Sequence, residues 1–305
     1  MNTLVSCEKF GIDEVYGGIF EMQQHYLNHN QQDKIKNSHI ALAGLGGIGG
    51  YVLESLVRNG FGNLRISEHD VFEKSNYRQI YMTLDNIGKA KIDSAGDRIQ
   101  SLNPFCSVTE FPGGIKPNNA YAFCNGADVI IQQTDSIAAF ILLKYWASKL
   151  RLPHLHGSRK HWLQSRQLTV ALEDYRDDTK VFEWDANEIS DRYGVPVHLL
   201  KEYFVCIESE TNNDDLEKQI QNENATHRKR TVQKMVDALE FNKLADFTGG
   251  NEDIEHIRSN IVRYPNKFDK LRVAPEQVMI IGAMVTSVVK DIVLERQISI
   301  PLLAL

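Results

Sequence analysis

The sequence predicts an α/β fold: a doubly wound, mostly parallel sheet carrying one inserted polar and helical segment. Three observations predict it. β-type apolar runs alternate with helix-type runs from residue 39 to about residue 172. A glycine cluster stands where the first of those runs gives way to a helix. Of the 305 residues, 42% are hydrophobic and 24% charged, the balance of a globular chain able to bury a substantial core. Strands that alternate with helices are joined by crossovers, and a crossover returns the chain parallel to the strand it left.

Taken in order, residues 1–37 are polar and read as an N-terminal helical arm. His39–Gly50, HIALAGLGGIGG, passes from β-type residues into glycines, and YVLESLVRNG follows as a helix. Val52, Leu53, Leu56 and Val57 share one face of that helix, and Gly60 suits its stop. NLRISEHD is a second strand, which completes a βαβ unit and makes the sheet Rossmann-like. IGKAKIDSAGDRIQSLNP is a helix closed by Asn103–Pro104, CSVTEF a short strand, and ADVIIQQTD a β-branched strand ending in Thr134–Asp135. SIAAFILLKYWASKLR is an apolar helix, and LPHLHGS and QLTVALED are further strands. Residues 175–270 break the rhythm and read as an insert suited to substrate recognition. Its acidic run of Glu208, Glu210, Asp214, Asp215 and Glu217 is expected to be a solvated face, and QKMVDALEFNKLADF to be helical. APEQVMIIGAMVTSVVKDIVLE is a long apolar helix, destined for the core or for a subunit interface. With no repeat and no low-complexity linker, residues 1–305 are partitioned as a single domain.

The net charge of −6 argues against generic binding to a phosphate backbone. No apolar run reaches the ~18 residues of a membrane span, so no membrane partner is expected. The N-terminus lacks a basic region followed by an apolar run, which points to the cytoplasm. Cys7, Cys106, Cys124 and Cys206 are dispersed and form no C-x-x-C pair, so neither a disulfide framework nor a zinc site is expected. His154 and His156 would share a strand face and, with His161, allow at most a weak metal site.

Gly44-Leu45-Gly46-Gly47-Ile48-Gly49 is the chemical centre of the sequence. Glycine permits a tight turn and a close backbone approach, and the N–H groups of the following helix stabilise negative charge. The pattern also satisfies G-x-G-x-x-G, with Glu68 placed to hold a ribose, so nicotinamide-dependent and ATP-dependent enzymes both fit it. Arg78, Lys91 and Asp135 separate the two. Each falls near the carboxyl end of a strand, where a doubly wound sheet opens its crevice. An arginine and a lysine there neutralise phosphate charge, and a carboxylate holds Mg²⁺. Hydride transfer has no use for that set, whereas attack on an α-phosphate with loss of pyrophosphate uses all three.

These motifs resemble those of the ThiF/MoeB/E1-like adenylating enzymes: a G-x-G-G-x-G turn, an acidic strand end, S-N-L-x-R-Q, a G-x-x-K helix start and a strand ending in T-D. Here they read Gly44 to Gly49, Glu68 with Asp70, Ser75-Asn76-Tyr77-Arg78-Gln79, Gly88 to Lys91, and Thr134-Asp135. The resemblance covers residues 39–172 and again 273–295. It implies that Gly44, Gly46, Gly47 and Gly49 cradle ATP, with Gln79 in the same nucleotide-binding set. It further implies that Glu68 and Asp70 meet the ribose, that Asn76, Arg78 and Lys91 contact the phosphates, and that Asp135 holds Mg²⁺. Taken alone, Asp135 reads equally as the N-cap of the next helix.

The chain departs from that pattern in several places. The Ser75–Gln79 motif is one residue short, which loosens the Asn76 assignment more than that of Arg78. Glu68 stands where aspartate is usual, the family's paired C-x-x-C zinc ligands are absent, and no arginine precedes Arg58 to serve a neighbouring subunit. The family activates carboxylates, commonly the C-terminus of a small ubiquitin-like or sulfur-carrier protein. One branch instead modifies ribosomally made peptides, as in the maturation of microcin C7 and pantocin A, and the missing zinc ligands and the insert favour it. The resemblance therefore implies a homodimer that adenylates glutamate side chains of a precursor peptide, with a carrier protein or a modified tRNA base carboxylate as the competing substrates. A nicotinamide-dependent oxidoreductase and a non-catalytic partner subunit are the alternatives from other classes. Cys206, between apolar and acidic neighbours, is not expected to carry an obligatory thioester.

Overall fold

The strands β1 (His39–Ala43), β2 (Asn63–Ser67), β3 (Ser107–Phe111), β4 (Val129–Gln132), β5 (Pro153–Arg159), β6 (Gln167–Asp174) and β7 (Leu302–Ala304) form one sheet in the order 3-2-1-4-5-6-7. β1 runs parallel to β2 and β4, β2 to β3, and β4 to β5. β6 and β7 are antiparallel additions. The order reverses between β1 and β4, and their carboxyl ends flank the point where such sheets bind ligands. The computed structural model describes residues 10–159, 167–177, 179–180, 185–209, 213–239, 275–298 and 302–304.

Both faces of the sheet are covered, which is why its central strands read as unbroken apolar runs. Ile40 and Leu42 of β1 point into one core cluster, Ala41 and Ala43 into the other. Val129 and Ile131 of β4 likewise face the first cluster and Ile130 the second. The first cluster is closed by α3 (Gly47–Arg58), α4 (Lys91–Leu102) and the tail helix α10 (Pro275–Val293). The arm contributes α1 (Ile12–Glu21) and α2 (His29–Asn37), which bury Tyr16, Gln32 and Ile35. The alternative left open for the tail helix resolves toward the core, where Val278, Ile281, Val285, Val288, Val289 and Ile292 are buried. The fit is close: a Cβ on Gly282 would lie 2.7 Å from Tyr51 Cβ on α3.

The second cluster is closed by α5 (Pro117–Cys124), α6 (Ile137–Lys149) and the insert helices α7 (Ala186–Tyr193), α8 (Val197–Glu208) and α9 (Asp214–Leu239). Leu200, Tyr203, Ile207, Leu216 and Ile220 anchor the insert there. Two expectations are corrected. The N-cap of α6 is Ser136, whose side chain accepts from Ala139 N at 3.1 Å, and Asp135 lies one residue too early for that role. The acidic run is not uniformly solvated either. Glu208, Asp214 and Asp215 are exposed, Asp214 pairing with Lys116 at 3.0 Å, and Glu210 lies outside the described residues, but half-buried Glu217 accepts from Tyr203 Oη at 3.2 Å. Helix α5, only eight residues long, was not read from the sequence, although Pro117 in its first turn marks its start. The part of QKMVDALEFNKLADF beyond Leu239 lies outside the described residues, as does His161.

Candidate functional site

At the end of β1 the chain turns at Gly44 with φ +89°, a region that disfavours any side chain. A Cβ there would stand 2.6 Å from both Gln133 C and Thr134 N, so the ends of β1 and β4 touch through this glycine. Gly49, in the first turn of α3, is pressed against the Gly44 carbonyl oxygen and leaves no room for a methyl group. Gly46 differs: a Cβ on it would meet nothing nearer than Gln79 Nε2 at 3.9 Å. A Cβ on Gly47 would lie 3.3 Å from Val278 and 3.4 Å from Arg78 Nε. The turn is thus closed behind by backbone and open in front at a helix N-terminus, with a guanidinium beside it. That is a cradle for an anion.

Glu68 is buried just past β2. Its Oε2 accepts from Leu45 N at 2.9 Å, and its Oε1 accepts from His69 N at 2.9 Å and Asp70 N at 3.1 Å. This carboxylate therefore locks the β2 end onto the glycine turn. Lys91 is 5% exposed, yet its Nζ donates at 2.9 Å to Asp70 Oδ2, on a side chain that is largely in solvent. Lys91 N donates to Asp70 O at 3.0 Å, and Val71 bridges Ala90, which fixes the start of α4 against the β2 end. These contacts tie the lysine to the β2 side of the crevice.

The 75–79 motif winds through a 3₁₀ turn at Lys74–Asn76. Asn76 Oδ1 is taken up within that turn, accepting from Glu73 N at 2.9 Å. Gln79 is buried against the glycine side, and among the described residues its Oε1 has no hydrogen-bond partner. The buried Gln133 Nε2 has none either among the described residues; it lies 3.4 Å from where a Cβ on Gly157 of β5 would stand. An unmet acceptor beside an open glycine turn is what a nucleotide would satisfy. Asp135 is exposed beyond β4. The structure thus brings Arg78 and Gln79 to the helix end of the turn, Glu68, Asp70 and Lys91 to its β2 side, and Asp135 to its β4 side. Asn76 remains with its own turn. Gln133 carried no sequence signal beyond its place before Thr134–Asp135.

Sequence reasoning also missed a mixed-charge cluster beside the crevice. His69, Lys116 and Asp214 surround Glu217, whose carboxyl is pushed up to about 7 by burial and by Asp214, against the pull of Tyr203, Lys116 and His69. The ordinary value is 4.5, so from there to about 7 the folded chain keeps a proton that the unfolded chain has released. The associated stability is full below 4.5 and lost as pH rises through about 7. The denaturation midpoint is therefore expected to be higher at about pH 5 than at about pH 8, and Glu217→Gln to flatten that difference. An unchanged pH profile in the variant would remove Glu217 as its source.

His154 and His156 do share a face, both packing against the Phe140 ring. His154 lies at the opposite end of β5 from the crevice and pairs with Glu173, which also receives Lys144 at 2.6 Å. Burial would raise the Glu173 carboxyl, but the His154 and Lys144 hydrogen bonds and the Lys144 charge outweigh it and hold the group at about 2. Cys106, Cys124 and Cys206 are buried and take part in no disulfide among the described residues. Among the described residues no helix is long and apolar enough to cross a membrane.

A model of the ThiF family matches residues 21–292. The adenylyltransferase and sulfurtransferase MOCS3 of Drosophila virilis is 34% identical over 128 residues, which is 42% of this chain and 28% of that protein. The chain therefore spans well under half the length of that curated relative. Two solved structures are similar over almost the whole chain. PaaA has a TM-score of 0.56 at 16% identity, covering 96% of this chain and 70% of its own. Escherichia coli MccB, crystallised with AMPCPP and MccA, has a TM-score of 0.56 at 14% identity, covering 97% and 72%. At those identities the likeness is one of fold.

Proposed function

Because this chain belongs to the ThiF family, we propose that it is an ATP- and Mg²⁺-dependent enzyme that adenylates a carboxylate and releases pyrophosphate. The observation that carries this reading is buried Lys91, paired with Asp70, standing beside a glycine turn that is open in front and locked by Glu68 behind. In it, Gly44, Gly46, Gly47 and Gly49 admit the phosphates to the backbone, and Glu68 and Asp70 line the ribose side. Arg78 and Lys91 take up charge as a carboxylate oxygen bonds to the α-phosphorus and the bond to the β-phosphate breaks. Gln79 completes the nucleotide shell, while Asn76 stays engaged in its own turn. Asp135 would hold Mg²⁺, which would supply positive charge to the phosphates.

The substrate in this reading is a ribosomally made precursor peptide with glutamate side chains to activate, and the working form is a cytoplasmic homodimer. Two features support the peptide. The likeness to PaaA and MccB runs through the arm and the insert, whereas the likeness to MOCS3 stops within 128 residues. No C-x-x-C pair is present for the zinc of carrier-activating relatives. Cys206, buried in α8, is not the acyl acceptor, and the adenylate is captured within the substrate. Incubation with ATP, Mg²⁺ and short peptides encoded beside the gene is expected to yield AMP and pyrophosphate. ADP as sole nucleotide product overturns the chemistry. Turnover only with a carrier-protein C-terminus or with tRNA keeps the chemistry and replaces the peptide.

A further inference from the structure

Between the site and the insert there is one polar tie that the proposed chemistry does not use. Gln221, on α9, donates from Nε2 to Ser136 Oγ at 2.6 Å, across 85 positions of sequence. Ser136 directly follows Asp135. The residues on either side of that carboxylate are held by a short network. Gln132 Nε2 donates to Thr134 O at 2.7 Å, Ser136 N donates to Thr134 Oγ1 at 3.2 Å, and Ser136 Oγ accepts from Ala139 N at 3.1 Å. All of these are local to the loop. Among the described residues, Gln221 alone reaches Ser136 from outside the loop.

The donor itself is firmly placed. Leu216, Ile220 and Asn224 bury the face of α9 on either side of Gln221. One turn earlier Glu217 is bound by Tyr203, and the first turn is pinned to Lys116 through Asp214. A metal ligand loses affinity when the groups that orient its loop are removed.

We propose that Gln221 is a positioning residue for the Asp135 loop, so that the insert sets the geometry of the carboxylate that receives Mg²⁺. This rests on the reading of Asp135 as the Mg²⁺ ligand. An ordinary packing contact would affect stability alone, whereas a positioning contact changes the metal dependence of nucleotide binding.

The test is calorimetric titration of the full chain with ATP over a series of Mg²⁺ concentrations and in EDTA. Gln221→Ala is expected to raise the Mg²⁺ concentration for half-maximal tightening roughly tenfold, as loss of an outer-sphere partner does. Its ATP affinity in EDTA is expected to stay within about twofold of the parent. Ser136→Ala is expected to raise the Mg²⁺ requirement in the same way, the double variant to be no worse than either single one, and Ser136→Thr to behave as the parent. Gln221→Met, which keeps length and burial without a donor, gives the same reading should the alanine variant unfold. Parent-like Mg²⁺ dependence in both Gln221 variants, or strictly additive effects, overturns the proposal. A parent chain whose ATP binding ignores Mg²⁺ overturns the metal reading first, and this proposal with it, from the parent titration alone.

Discussion

Lys91→Ala is expected to lower ATP–pyrophosphate exchange by about 100-fold, equivalent to about 2.7 kcal/mol of transition-state stabilisation, with little loss of fold. The argument is asymmetric. Lys91 is almost fully buried, while its partner Asp70 is largely exposed, so removing the cation strands no carboxylate in the interior. A surface-facing partner left alone costs at most about 1 kcal/mol. The ammonium, in contrast, sits where burial strengthens its action on a phosphate. Lys91→Arg keeps the charge but misplaces it and falls between parent and alanine. Exchange within about threefold of the parent, in a variant with an unchanged denaturation curve, would dissociate Lys91 from the chemistry.

Gly49→Ala is expected to destabilise the chain by about 3 kcal/mol and to abolish nucleotide binding. Both atoms in collision are held fast. The added methyl group meets the Gly44 carbonyl oxygen, and Gly44 is bound to Ser67 O through its N–H at 2.8 Å and packed on Gln133 and Thr134. Neither the helix start nor the strand end can yield without opening the β1–β4 contact. Gly46→Ala is the control, because its Cβ enters open space. It should fold with parental stability to within about 0.5 kcal/mol and weaken only ATP binding. Urea denaturation of the two variants decides the matter, and equal midpoints would refute this account of the turn.

Much of this molecule was legible before any coordinates. The central strands betrayed themselves by β-branched runs too apolar for a one-sided sheet, and Ile130 and Ile131 face opposite cores as that reading requires. The glycine turn was legible because its spacing is a steric demand of the backbone. Glu217 was not, because an acidic run carries no mark of which member a tyrosine fourteen positions earlier will bind. Gln221 is harder still, since its partner lies 85 residues away and no local period links them. The choice between Ser136 and Asp135 as cap turned on a single residue of offset, finer than periodicity can resolve. Strand β7, three residues long, is too short for alternation to show.

Val278 packs against Gly47, and α10 gives the first core cluster a large share of its aliphatic side chains. A ribosome delivers residue 47 long before residue 278. During synthesis the glycine turn is therefore walled on one side only, its apolar flank wet, until α10 has emerged and docked. A chain stopped before α10 would leave that flank uncovered, the kind of apolar surface on which incomplete chains aggregate.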